Sequence, residues 1–185
     1  MNMVKILRPF YILYFLIAYP LAAIATMFAG LSISLFGKYL KVKGGDYYPA
    51  VLWSKFMIRV FLLPIKVEGR ENLDPNQNYV FVANHQGFWD VFVMFGYIGR
   101  NFKWMMKDSL RKLPFVGRGC YDTGHVFVNR TSPQKEILVK ALKILRSGTA
   151  MGIFAEGTRT NDGHLGEFKK GAFVIADMAQ VPVVP

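Results

Sequence analysis

The sequence predicts an α/β fold: a mostly parallel sheet flanked by helices, preceded by N-terminal membrane-associated helices. Three observations predict it. From residue 65 onward, apolar runs of strand length alternate with helix-length segments, the chain order that places parallel strands under helices. One of those helical segments carries start and stop signals at both ends. Upstream the chain differs in kind: no charged residue lies between Arg8 and Lys38, and the apolar run 9–37 is longer than the roughly 20 residues that cross a bilayer.

That run is the first element. A cleaved signal peptide has an apolar core of roughly 7 to 15 residues, and here the run continues well past the cleavage-like Ala23-Ile24-Ala25. A single spanning helix and a pair of shorter helices dipping into one leaflet both fit, because Pro20 can kink a helix or divide it. Basic residues flank both sides, Lys5 and Arg8 before and Lys38, Lys41 and Lys43 after, so the positive-inside rule sets no orientation. A segment that returns to the same anionic leaflet shows this pattern, and the pair of helices is the expectation.

Residues 50–64 read as a short helix with Lys55 and Arg59 four apart on one side, suited to a membrane interface or to capping a domain. Strands are expected at 65–68, 79–83, 102–106, 125–129, 151–155 and 181–184, and helices at 90–97, 133–147 and 171–179. The middle helix is the best specified. Thr131 or Ser132 can cap it, Pro133 suits its first turn and Gly148 can end it. Ile137, Leu138, Ala141, Leu142 and Leu145 then share one face.

The chain of 185 residues is 52% hydrophobic with a net charge of +11, and the base is unevenly placed. Residues 1–64 hold seven lysines or arginines against the single acid Asp46. Basic charge beside an apolar segment favours anionic membrane lipids. Nucleic acid is not expected, since no nucleic-acid motif and no dense basic helix stands outside the membrane flank. Cys120 is alone, which leaves no disulfide framework and no thiolate metal cluster, and it reads as a small buried apolar residue.

Three stretches carry chemistry. Asn84-His85-Gln86-Gly87-Phe88-Trp89-Asp90 follows a strand, and residues five apart on a continuous helix lie roughly 140° apart. His85 and Asp90 therefore meet only if the chain turns, which Gly87 permits. A carboxylate on one imidazole nitrogen leaves the other as a base, the histidine-carboxylate half of a hydrolytic triad without its serine. Asp90 also stands where an N-cap for the next helix is ordinary. Two ligands make a poor metal site, and no metal is expected.

Phe154-Ala155-Glu156-Gly157-Thr158-Arg159 likewise follows a strand, and ligands of parallel sheets bind at the carboxyl ends of strands. Arg159 offers a forked donor for phosphate or carboxylate; Glu156 can hold the guanidinium or bind a substrate hydroxyl. A surface turn with a weak ion pair is the plain alternative. The third stretch, Gly124 through Asn129, ends in Arg130. Two arginines at one sheet edge suit a phosphorylated substrate; a strand with a solvated basic end would look the same.

Together these motifs resemble the bacterial 1-acyl-glycerol-3-phosphate acyltransferases of the wider glycerolipid acyltransferase group. That family pairs an N-H-x-x-x-x-D block with a later F-P-E-G-T-R block, an intervening strand ending in arginine, and a V-P-x-x-P segment. They match Asn84 to Asp90, Phe154 to Arg159, Val126 to Arg130, and Val181 to Pro185. Residues 103–107 and 114–117 also look like bacterial members. The likeness runs from about Lys66 to the last residue.

The resemblance implies an N-terminal membrane segment over 1–64 and an acyltransferase domain over 65–185, incomplete at its C-terminus. His85 would be the base and Asp90 its orienting carboxylate, with Arg130, Glu156, Gly157, Thr158 and Arg159 gripping the glycerol phosphate. The reaction implied moves an acyl group from acyl-CoA or acyl carrier protein to lysophosphatidic acid, with no cofactor beyond the thioester co-substrate, at the cytoplasmic face of the inner membrane. Three departures bear on geometry and substrate preference: the family usually has serine at Gly87, proline at Ala155 and often aspartate at Asn129. Another lysophospholipid, glycerol 3-phosphate or a lyso-ornithine lipid as acceptor, and an inactive membrane lipid-binding module, are the alternatives.

Overall fold

The computed structural model describes residues 3–129, 134–160 and 164–185. Its elements in chain order are α1 (Met3–Ile33), α2 (Tyr48–Val60), β1 (Val80–Ala83), α3 (Asp90–Tyr97), β2 (Phe102–Lys107), α4 (Val116–Asp122), β3 (Val126–Val128), α5 (Gln134–Arg146), β4 (Ala150–Phe154), α6 (Gly171–Ala179) and β5 (Val183–Val184). The five strands form one parallel sheet in the order β3-β2-β4-β1-β5. A parallel sheet is buried on both faces, and the side chains divide accordingly. Val80, Val82, Val126, Met151 and Ile153 pack with α5 and α6 on one face. Tyr79, Phe81, Phe102, Trp104 and Ala150 pack with Phe95 of α3 on the other.

Behind α3 lies α2, whose Met57 and Ile58 bury against Phe92 of α3 and Ala22 of α1. α1 is outermost. Trp53 Nε1 of α2 donates to Thr26 Oγ1 at 3.1 Å, and Phe61 meets Tyr19 with ring centroids 5.6 Å apart. The stretch Phe10–Tyr39 has a mean hydropathy of 2.0 and is long and apolar enough to cross a membrane, yet it is only 17% buried by the rest of the molecule. Such a bare apolar surface is a membrane contact or an unmet interface.

Several expectations need correction. Pro20 does not divide α1, which continues through it and ends by widening into a π-helix over Ser34–Tyr39. Proline removes one ladder hydrogen bond, the one that Leu16 O would accept, and the flanking turns hold the helix together. There is one long helix, not a pair of short ones. Residues 65–68 form no strand, because Ile65 packs with the helical cluster of Ala22, Met57 and Phe92, away from the sheet. α4 was not expected. The expected cap and first turn of α5, Thr131, Ser132 and Pro133, lie outside the described residues.

Candidate active site

β1 and β4 are neighbours in register, with Ala83 opposite Phe154. The Ala155 N–H continues the ladder to Ala83 O at 3.1 Å. The two motif-bearing stretches thus leave the sheet side by side from the carboxyl ends of adjacent strands, which is why residues about seventy positions apart build one site.

After β1 the chain turns before α3 begins at Asp90, and the side chains of His85 and Asp90 come together. Asp90 Oδ2 lies 2.8 Å from His85 Nδ1. The same oxygen accepts the N–H groups of Gln86 at 2.8 Å and Gly87 at 2.9 Å. Asp90 is not the N-cap of α3; Trp89 holds that position, without a side-chain cap bond. The carboxylate instead closes the turn that precedes the helix, and this pins its direction. Since ionised Asp90 can only accept, Nδ1 carries the proton and Nε2 keeps its lone pair. The imidazole lies flat on Phe154, centroids 3.8 Å apart at 8°, and Phe154 stacks in turn on Trp104 at 4.7 Å. Those stacked rings fix the imidazole plane. No spacing rule reveals them, because Phe154 and Trp104 read only as strand residues.

Glu156 joins the two stretches. It is 4% exposed, and its carboxylate accepts the His85 N–H on Oε1 and the Gly166 N–H on Oε2, both at 2.8 Å. Among the described residues it makes no ion pair with Arg159. It ties the histidine turn to the loop after β4. The Thr160 N–H adds a second tie, to His85 O at 3.0 Å. Thr160 and Gly166 were not expected, as each acts only through its backbone.

Gly157, Thr158 and Arg159 are exposed above this floor. Gly157 stands at φ +71, and a methyl there would come within 2.9 Å of Lys169 Nζ, so glycine suits both the left-handed backbone and the lysine crossing it. Arg159 Nε points to His85 Nε2 at 3.4 Å, a long contact. The base nitrogen and a permanent cation thus face the same open space. Arg130 lies outside the described residues.

Cys120 plays no part here, and burial pushes its thiol up to about 11, so it stays protonated near neutrality. Among the described residues no group of three or more His, Cys, Asp or Glu side chains is placed to hold a metal ion. Among the described residues, shallow hollows lie elsewhere, one along α5 and one around Leu113 and Phe115. The site is an open sheet edge. The rings of Phe61 and Trp89, 4.7 Å apart, connect its turn to Phe15 and Tyr19 of α1.

Comparison with known proteins gives a consistent result. The family model described as acyltransferase matches residues 64–185. A chloroplastic 1-acyl-sn-glycerol-3-phosphate acyltransferase of Arabidopsis thaliana is 36% identical over 142 residues, covering 75% of this chain and 39% of its own. One from Chlamydomonas reinhardtii is 35% identical over 174 residues, covering 92% and 51%, and the protein of that name from Borreliella burgdorferi is 34% identical over 132 residues, covering 69% and 53%. The chain spans about half the length of the curated relatives it matches. The crystal structure of the 1-acyl-sn-glycerophosphate (LPA) acyltransferase from Thermotoga maritima superimposes with a TM-score of 0.80 at 30% identity, covering 99% of this chain and 74% of that one.

Proposed function

From the premise that the chain belongs to the acyltransferase family, we propose that it transfers a fatty acyl group from acyl-CoA or acyl carrier protein to the free hydroxyl of 1-acyl-glycerol 3-phosphate, forming phosphatidic acid. The observation that carries this reading is the His85–Asp90 pair, with its accepting Nε2 turned toward Arg159. A hydrolytic triad would set its own serine at Nε2; here the Arg159 guanidinium stands there at 3.4 Å, and the acceptor, drawn in by that cation, brings the hydroxyl.

Nε2 of His85 takes the hydroxyl proton as the oxygen attacks the thioester carbonyl. Asp90 stabilises the imidazolium that forms. When the tetrahedral intermediate collapses, the carbon–sulfur bond breaks and the imidazolium returns the proton to the departing thiolate, leaving ester and free thiol. Arg159, with Gly157 and Thr158 beside it and Arg130 as the second cation, grips the acceptor phosphate. That grip sets the hydroxyl against Nε2, while Glu156 holds both blocks in place. Neither a metal nor a covalent enzyme intermediate enters these steps.

Membrane residence follows the same reading, since acceptor and product are lipids. α1 touches the body of the protein from Phe15 to Ile33, through Phe61, Trp53 and Gly119. Basic residues stand on both sides of the apolar stretch, Lys5 and Arg8 before it and Lys38, Lys41 and Lys43 after it, which suits a helix held at one anionic surface. α1 therefore lies in one anionic leaflet, the cytoplasmic one where acyl thioesters are available.

The test is phosphatidic acid formation from lysophosphatidic acid and acyl-CoA in anionic vesicles, with other acceptors run in parallel. His85→Ala is expected to lower turnover by roughly 10²- to 10⁴-fold, the usual contribution of a general base. Turnover near the parent level would remove His85 from the mechanism.

A further inference from the structure

Away from His85, the 3-10 turn Asp108–Lys112 and α4 border a hollow of about 390 Å³ that combines apolar walls with cations. Leu113, Phe115 and Tyr121 are 46%, 40% and 55% exposed, beside Lys112 and Arg118. Phe115 is held at φ 60, ψ −52, a conformation that a bulky residue keeps only when its surroundings impose it. α1 passes close beside it: a methyl at Gly30 would come within 2.7 Å of the Phe115 backbone. Phe115 thus presents a large aromatic side chain at the surface next to the helix.

The hollow is continuous with the end of the apolar helix. The Asp122 carboxylate, with no solvent access, accepts Lys38 Nζ and Arg118 Nε, each at 2.8 Å. Burial alone would raise its carboxyl; the hydrogen bonds from Lys38 and Arg118 outweigh that and hold it below the ordinary range. Two cations on one carboxylate leave the seam positive. Arg118 also reaches Tyr39 Oη at 3.4 Å, and Tyr39 is 62% exposed beside Leu35 and Leu40, at 46% and 57%.

We propose that this face docks on the headgroup layer of an anionic bilayer as a second membrane contact beside α1. Leu113, Phe115 and Tyr121 enter the interface, and Lys112 and Arg118 meet lipid phosphates. Aromatic rings favour the headgroup level of a bilayer, and cations near an anionic surface each add attraction. α1 by itself leaves the molecule free to roll about the helix axis; a contact off that axis sets which edge of the sheet faces lipid. The inference rests on the membrane residence of α1 and not on acyl transfer, so it is tested without substrate.

In a Cys120→Ala background, Leu113→Cys and Val139→Cys are each labelled with a fluorophore and bound to vesicles carrying brominated lipids. Val139, 56% exposed on α5, is the control, because α5 covers the opposite face of the sheet from α3. Strong quenching at 113 with little at 139 is expected. In the unlabelled chain, Lys112→Ala should weaken binding to phosphatidylglycerol-containing vesicles roughly fivefold, the factor for one interfacial cation, and leave binding to phosphatidylcholine vesicles unchanged. Equal quenching at both positions, or an equal loss on both vesicle types, overturns the docking face.

Discussion

His85 and His125 are both held through Nδ1 and both lie against aromatic rings, yet their chemistry is opposite. At His85 the Nδ1 partner is a carboxylate, so the proton sits on Nδ1 and Nε2 keeps its lone pair, with Arg159 Nε 3.4 Å away. At His125 the partner is the backbone N–H of Trp104, 2.8 Å away, so Nδ1 accepts and the proton sits on Nε2. Burial, with Lys103 beside it and only partly offset by Asp46, pushes His125 down to about 3 from 6.5. The partner at Nδ1 decides which nitrogen keeps the lone pair: a carboxylate leaves it on Nε2 of His85, and a backbone N–H uses it on Nδ1 of His125.

The comparison breaks most sharply at Asp90→Asn. The Gln86 and Gly87 N–H groups hold an oxygen where Oδ2 now stands, so the amide oxygen remains toward Nδ1 and the tautomer survives. What is lost is the charge that stabilises the imidazolium. Turnover should fall about 10²-fold, the lower end for general base catalysis. A fall nearer 10⁴-fold, the size attached to a wrong tautomer, would mean that the amide flips and makes His85 resemble His125. A loss under tenfold would refute the pairing as a catalytic unit.

Glu156→Gln removes the charge that supports His85 from below. A neutral amide cannot accept both the His85 and the Gly166 N–H groups, and its NH₂ must face one of them. Hydrogen bonds to a charged group contribute about 1.5–3 kcal/mol, so stability should drop by about 2 kcal/mol in urea unfolding. The His85 and Gly166 amides should exchange hydrogen faster. If instead the acceptor KM rose while exchange at both amides stayed as before, Glu156 would be a substrate contact after all.

Much of this was legible in the sequence. The strands that became β1, β2 and β4 and the helices that became α3 and α6 announce themselves by apolar runs bounded with turn residues, and the short spacing of His85, Gly87 and Asp90 requires the turn that is found. Two kinds of feature were not legible. Side chains that act from beneath, Phe154, Trp104 and buried Glu156, depend on which strands are neighbours, and the order β3-β2-β4-β1-β5 is not written in any local pattern. Helix α1 misled because Pro20 signals a break by its chemistry, whereas the packing of Thr26 on Trp53 and Tyr19 on Phe61 carries the helix through.

The smallest expected effect concerns pH. In the unfolded chain His125 binds a proton near pH 6.5, and in the fold only near 3. Between those values the unfolded state holds more protons, so this residue makes stability fall as pH drops through the window and contributes no slope above it. His125→Asn puts an amide oxygen near the position of Nδ1, keeps an acceptor for the Trp104 N–H and removes the titration. Urea midpoints measured between pH 7.5 and 4.5 should then decline less steeply than in the parent, while turnover at pH 7.5 stays within about twofold. An unchanged slope would mean that His125 is not held neutral by its site, and a large loss of turnover would mean that the two histidines are not the independent units their opposite hydrogen bonds make them.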